Sequence, residues 1–373
     1  MLYKRFETGV FSRKIFLWFI TVLALASSPL EAGISHVCFI VNGASNSGRC
    51  ASTWMSIHDK YVRKLFIPKD SMTVASDEEL TYEVAESSYP GAVPEIAERL
   101  YDEWESESES DDDQVLMVAV GGDGTVSEVV QNLHGKKNVV FSVLPCGTGN
   151  DIARTLGIPF NLKKALDIIR WGGRTVSYGA YRIQADRLGE GGNLIRKYAV
   201  DEFDLGVCAD GGLIKYRHDR NIRERPVLNW IPRFLKYPAI TLLSLMNWKA
   251  RKVHVALDEL SRENFNLGMI LGGCGPTVGG GQRFFPAMKP ESDKGAMLIE
   301  PSSSRFQILW DLLHHQLGRR MPGSKMVEFT NAAIRHEDGE SPILLQYDGE
   351  PVLQTPAEIT WLPGAFRFLG KAK

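Results

Sequence analysis

The 373 residues contain only five cysteines. Cys38, Cys50, Cys146, Cys208 and Cys274 are odd in number and widely scattered, with no CxxC pair and no Cys/His cluster. That excludes a disulfide framework and a zinc-finger-like metal site, and points to free thiols in a reducing compartment. Neither sign of charge dominates: the net charge is −2, so nothing in the balance calls for a nucleic-acid partner. A Walker sequence GxxxxGK[ST] is missing, and "GAFRFLGK" near the end has the wrong spacing and no Ser or Thr. The protein-kinase signatures HRD and DFG are missing too. "GTGN" is not GxGxxG, which leaves a dinucleotide fingerprint unsupported.

Long apolar runs are also scarce. Ile15 to Ala26 is a twelve-residue run after Lys4, Arg5, Arg13 and Lys14, and a bilayer span needs ~20 residues. The basic region, short apolar core and following "SSPLEA" read as a signal or organelle-targeting segment, as a membrane anchor, or as an incidental leader. A secretory signal would carry the chain away from cytosolic ATP. Two locations therefore stay open: membrane-associated and facing the cytosol, or an organelle or secretory route directed by residues 1–33.

What is present begins with length. A chain of 373 residues exceeds one ordinary core, so two domains are expected. "HVCFIVN", "QVLMVAV" and "NVVFSVLP" read as buried strands. "PEIAERLYDEW", "TVSEVVQNL", "GNDIARTLG" and "LKKALDIIRWG" read as helices, giving the alternation of a parallel α/β domain over residues 34–175. Beyond Thr175 come short β-rich runs such as "VSYGAYRIQAD", "RKYAVDEFDLGV" and "ILLQYDGEPV". They predict a mostly antiparallel β-sandwich domain over 176–373 whose last strands are free to return to the first domain. Tyr101 to Asp113 carries eight acids and no base, which predicts a solvated loop. Between Leu213 and Val253, bases interleave with aromatic and aliphatic residues.

Two turns carry the chemistry. "VGGDGTVSEVV" leaves a strand and enters a helix. Gly121, Gly122 and Gly124 permit close backbone approach, the helix adds the positive end of its dipole, and Thr125 offers a hydroxyl. Asp123 repels a bare phosphate, so it implies Mg²⁺ or an oriented water; a tight turn whose Asp caps the helix is the plainer alternative. "LPCGTGNDIARTLG" repeats the design with Gly147, Thr148, Gly149 and Asn150. On consecutive parallel strands the two turns would lie side by side at the carboxyl edge, where open α/β sheets bind ligands. "VNGASNSGR" after the first strand could complete the pocket through Asn42, Ser47 and Gly48.

"GGDGTVSEV", "PCGTGNDIART" and a late "YDGEP", in that order, resemble the diacylglycerol kinase catalytic-domain family, which includes bacterial lipid kinases and the sphingosine and ceramide kinases. NAD kinases and phosphofructokinases are more remotely similar. The resemblance spans roughly residues 35 to 365. It implies a nucleotide-binding α/β domain, a β-sandwich, ATP with Mg²⁺, and a lipid substrate in a membrane reached by peripheral or N-terminally anchored association. Carried over, Gly121, Gly122, Asp123, Gly124, Thr125, Val126 and Ser127 would hold the ATP phosphates. Asn42, Ser87, Gly147, Thr148 and Asn150 would line the nucleotide pocket. Glu350 or Asp123 would be the base, and Asp123 would organise Mg²⁺. Asp151 and Asp210 are lipid-site candidates. Trp230, Arg233 and Phe234 are membrane-surface candidates.

Several positions depart from the family pattern. Gly43 stands where relatives have Pro, Ser127 where they have Asn, and Lys294 where relatives usually carry an Asp that in some bacterial members binds a structural Mg²⁺. Cys208 replaces an Asp of the diacylglycerol branch, while Asp210 matches the sphingosine branch. Phosphorylation of diacylglycerol to phosphatidic acid is the expected activity. A sphingoid-base or ceramide kinase, an NAD-kinase-like soluble kinase and a non-catalytic lipid- or nucleotide-binding protein are the alternatives.

Overall fold

A computed structural model describes residues 33–46, 48–71, 80–220, 233–258, 261–302, 304–337 and 339–371. β1 (Ile34–Val41) is buried at every position except Ser35, as a strand covered on both faces must be. Helix α1 (Arg49–Ile57) follows and runs on through a π-helical turn, His58–Val62. Then come β2 (Ile67–Pro68), β3 (Thr81–Glu86), α2 (Val93–Glu107), β4 (Gln114–Gly121), α3 (Asp123–Gln131), β5 (Val139–Pro145), α4 (Asp151–Thr155) and α5 (Leu162–Asp167). The strands pair in parallel in the order β2-β3-β1-β4-β5. From β1 the chain first adds β3 on one side and then β4 on the other, so the order reverses between β1 and β4. The carboxyl ends of those strands flank the crevice expected at such a switch point.

The second half is antiparallel: β6 (Gly173–Arg187), β7 (Glu190–Ala199), β8 (Glu202–Gly206), α6 (Val207–Arg220), α7 (Arg233–Asn247), β9 (Lys252–Leu257), β10 (Ser261–Gly273), β11 (Gly295–Pro301), α8 (Arg305–Gln316), β12 (Lys325–Phe329), β13 (Asn331–His336), β14 (Leu344–Tyr347) and β15 (Glu350–Lys371). Pairings β15-β14-β8-β10-β9-β13-β15 close into a ring. Tyr181, Phe203, Phe329 and Trp361 stack inside this part of the protein, with ring centroids 4.8 to 6.5 Å apart. Gly179 is required there, because a Cβ would lie 2.1 Å from the Trp361 ring.

The last strand joins the two halves. Phe368 of β15 pairs in parallel with Phe141 of β5, and Ser142 donates its hydroxyl to the Leu369 carbonyl at 3.1 Å. Phe141, Tyr178, Phe366 and Phe368 pack across the junction.

Two expectations change. The acidic run is not one loop: α2 continues through Glu107, and only Ser108 to Asp113 lie beyond it. Buried Tyr101 and Trp104 supply enough inward-facing apolar surface to keep the segment helical. Its acids face outward, and Asp102 pairs with Lys136 at 3.0 Å. "RKYAVDEFDLGV" is two strands, because the chain breaks at Val200 and Asp201 to meet the site described next.

Candidate active site

Asn42 follows β1, Ser87 follows β3, Gly121 ends β4 and Gly147 follows β5. All four therefore occupy one edge of the parallel sheet. The Asn42 N–H donates to the Val120 carbonyl at 3.1 Å and the Ser87 N–H to the Val41 carbonyl at 2.9 Å. The two glycine turns touch backbone to backbone: a Cβ on Gly147 would sit 2.3 Å from the Gly122 Cα. The Gly121 carbonyl receives the Cys146 and Gly147 N–H groups at 2.8 and 3.1 Å. Asn150 takes a left-handed conformation at φ 57°. Its side chain accepts from the Gly147 N–H and donates to the Gly147 carbonyl, both at 3.0 Å, so it shapes the turn. Thr148 is exposed.

Beside this contact a cleft of about 660 Å³ is lined by Asn46, Tyr61, Gly147, Thr148, Asn150 and Phe160, among others. Its volume is that of a small-molecule site. Thr125 is buried, its hydroxyl 3.2 Å from that of Ser45, which ties the loop after β1 to the GGDG turn. Val126 and Ser127 face inward and do not border the cleft.

Three carboxylates converge at the turns. Oxygen atoms of Asp123, Asp151 and Asp201 lie within 4.8 Å of one another. Asp151 is saturated: the N–H groups of Gly280 and Gly281 donate to it at 2.5 and 2.7 Å, and Arg154 lies 3.2 Å from it. Asp123 Oδ1 accepts from the Ile152 N–H at 3.0 Å. Burial pushes the Asp123 carboxyl up to about 6, reinforced by the charge of Asp151 and opposed by backbone N–H donors. Burial holds Asp201 well above the usual carboxylate range, and the Asp123 charge adds to it. Crowded buried acids with oxygen donors suit a hard divalent cation, whose charge would relieve both effects. Mg²⁺ therefore fits Asp123 and Asp201.

The "YDGE" segment is a two-residue hairpin turn with positive φ at Asp348 (46°) and Gly349 (86°), the twist that hairpins favour. Asp348 is buried and accepts N–H groups from Val200, Asp201 and Glu202 at 2.9 to 3.0 Å. The Ser127 hydroxyl also bonds it. Asp348 thus fixes the backbone that presents Asp201. Glu350 opens β15 opposite Tyr347, half-buried, and its charge acts on Lys197 of β7. It is not a member of the three-carboxylate cluster.

Asp210 lies in α6 and forms an ion pair with Arg251 at 3.2 Å. Lys294 and Asp293 are exposed, and among the described residues no metal-like cluster includes either. Trp230 and Ser47 lie outside the described residues. Arg233 and Phe234 begin α7, but their side chains are not described. The cysteines among the described residues are all free thiols.

Sequence reasoning passed over Asp201, Asp348, Gly280 and Gly281. Asp201 did have a signal, since an acid between the apolar runs "YAV" and "FDLG" needs a partner or a purpose. Gly279 to Gly281, three glycines in a row, was the other.

The same architecture occurs in known proteins. Residues 36–180 match the diacylglycerol kinase catalytic domain, and residues 221–370 match the YegS C-terminal NAD kinase β-sandwich-like domain. The chain belongs to the diacylglycerol kinase catalytic-domain family, whose members use ATP, and carries the YegS type of C-terminal domain. It is 28% identical over 260 residues to a diacylglycerol kinase of Mycobacterium tuberculosis, covering 68% of this chain and 76% of that one. It is 26% identical over 291 residues to a Staphylococcus haemolyticus protein named "Putative lipid kinase SH2167", covering 76% and 83%. A solved Bacillus anthracis protein described as "a putative diacylglycerol kinase" has a similar fold, with TM-score 0.63, 18% identity, and 91% and 99% coverage.

Proposed function

We propose that the chain transfers the γ-phosphoryl group of ATP to the free hydroxyl of diacylglycerol, giving phosphatidic acid. One observation carries this reading: the glycine turns Gly121–Thr125 and Gly147–Asn150 are in backbone contact, the second lines a ligand-sized cleft, and Asp123 of the first belongs to a carboxylate cluster. The first turn of α3 presents N–H groups that have no partner within the helix, which suits phosphate oxygens. Asp123 and Asp201 would hold the Mg²⁺ of Mg-ATP, which would offset phosphate charge. Asn150 shapes the second turn, and Asp123 ties the first turn to α4 by accepting the Ile152 N–H. Glu350 takes the proton from the lipid hydroxyl as its oxygen bonds to the γ-phosphorus and the bond from that phosphorus to the β–γ bridging oxygen breaks, releasing ADP; its neighbour Asp348 is already engaged by backbone donors.

Diacylglycerol is favoured over an amine-bearing sphingoid base by the Asp210–Arg251 ion pair. An acid already neutralised by arginine has little to offer a substrate ammonium. The test is transfer from radiolabelled ATP to diacylglycerol, sphingosine, ceramide and NAD in parallel. We expect an organic-soluble product from diacylglycerol. Label incorporated only into NAD, or into none of the four, would end this assignment.

A further inference from the structure

Helix α8 carries apolar side chains on its outer face as well as on the face that packs against the core. Its inner face carries Ile308 and the acid Asp311, both buried. Asp311 accepts the Gly323 N–H at 3.1 Å and sits against Glu300 of β11. Its outer face carries Phe306, Leu309, Trp310 and Leu313, and the stripe ends at Leu317 just beyond the helix. The spacing of three and four residues puts them in one row. Phe306 is 84% exposed, Trp310 59% and Leu317 69%. Leu242 and Met246, one turn apart on the adjoining α7, are exposed as well. Isolated exposed apolar residues need no explanation, but a continuous row does.

Charge narrows what covers the row. Between Ser302 and Ser324 the only acid is Asp311, which is buried, whereas Arg305, Arg319 and Arg320 are exposed. An outward aromatic and aliphatic stripe bracketed by arginines, with no exposed acid, complements an anionic lipid surface. Position favours the same occupant. Gln316 at the end of α8 bonds Gln282 at 3.2 Å, and His315 stacks on Phe284 with centroids 3.8 Å apart. Gln282 adjoins Gly280 and Gly281, whose N–H groups clamp Asp151 in the carboxylate cluster. The exposed row thus ends on the loop that reaches the proposed active site.

We propose that α8, with Leu242 and Met246 of α7, is the face by which this protein docks on an anionic phospholipid bilayer, lying in the interface and setting the cleft against the lipid. The inference deepens the lipid-kinase reading and rests on it for its purpose, though the docking itself is measured separately. The full chain is sedimented with vesicles of phosphatidylcholine plus phosphatidylglycerol and with phosphatidylcholine alone, and compared with the Phe306→Ser/Trp310→Ser double variant. Expected are preference for the anionic vesicles, weakening with salt, and about a tenfold or greater loss of partitioning in the double variant. Trp310→Phe should retain most of the binding.

Phosphorylation of diacylglycerol in vesicles should fall in parallel, while phosphorylation of a short-chain, water-dispersed diacylglycerol should not. If the double variant does not fold, Arg319→Glu/Arg320→Glu provides the second comparison, with the same loss expected on anionic vesicles. Equal partitioning of wild type and folded variants overturns the proposal. So does a wild-type dimer that the variants convert to monomers, since a second copy would then cover the row. Vesicle binding that depends on α8 without any lipid phosphorylation would leave the docking intact and remove the kinase reading instead.

Discussion

The protein buries two groups of carboxyls, and they behave differently. Beside the glycine turns, Asp123 and Asp151, at the starts of α3 and α4, meet Asp201 from the break between β7 and β8. Beneath α8, Glu300 and Asp311 meet inside the antiparallel half. Burial raises Asp123 to about 6, whereas burial and the Asp311 neighbour raise Glu300 to about 9. In the first group Asp123 keeps partial exposure, which suits a cation. The second is sealed, and burial with the Asp311 neighbour holds the proton on Glu300. The same residue chemistry thus suits a cation in one region and forms a structural anchor in the other, and the partial exposure of Asp123 makes the difference.

The largest effect that would sharpen this contrast is on catalysis. Asp123→Asn should lower phosphoryl transfer by ~10³-fold or more, the scale of losing a preorganised charged group, while leaving the melting temperature near wild type. Activity within a few-fold of wild type would remove Asp123 from the mechanism. Glu350→Gln should cost about 10²-fold in kcat, the scale of losing a general base, with little change in the KM for ATP. A matching rise in that KM would instead assign Glu350 to nucleotide binding.

Gly147→Ala addresses the contact between the turns. Its Cβ would meet the Gly122 Cα at 2.3 Å, so a backbone must move, costing about 1–3 kcal/mol and weakening ATP binding. A variant as stable and as tight-binding as wild type would show that the turns separate freely.

The smallest effects are on stability against pH, and they separate the two clusters most cleanly. Glu300 binds a proton in the folded chain up to about 9 but, unfolded, only up to 4.5. The unfolded state therefore holds fewer protons between those values, and stability falls as pH rises through the window. Glu300→Gln removes that slope and should raise stability at pH 8 by on the order of 1–2 kcal/mol, with little change at pH 4. The Asp123 contribution falls over a narrower range, from 3.8 to about 6. Above pH 6, Mg²⁺ should raise the melting temperature of wild type and not of Asp123→Asn; Glu300→Gln should respond to Mg²⁺ as wild type does. An equal Mg²⁺ response in all three proteins would dissolve the contrast.

Much of the first half was legible because its signals are local. Uninterrupted apolar runs marked the central strands, and glycine turns followed directly after β4 and β5. Asp348 shows the limit. "DGE" reads as a hairpin turn, and it is one, but nothing local says that its Asp side chain reaches across to Val200, Asp201 and Glu202. Val126 and Ser127 show the converse: contiguity with the glycine turn suggested phosphate contact, yet helical periodicity carries both inward. The acidic run misled because charge density was visible while the packing of Tyr101 and Trp104 was not.

By itself the sequence determined the three central strands, the helices after β4 and β5, the two glycine turns and the family to which the chain belongs. Each depends on neighbours within one strand–turn–helix unit, where backbone geometry and side-chain period are set locally. Only the tertiary structure decided that Asp201 joins Asp123 and Asp151, that β15 ties the antiparallel half to β5, and that α8 turns its apolar row outward. Those outcomes depend on which surfaces meet across long stretches of chain, and that is fixed by packing rather than by local pattern.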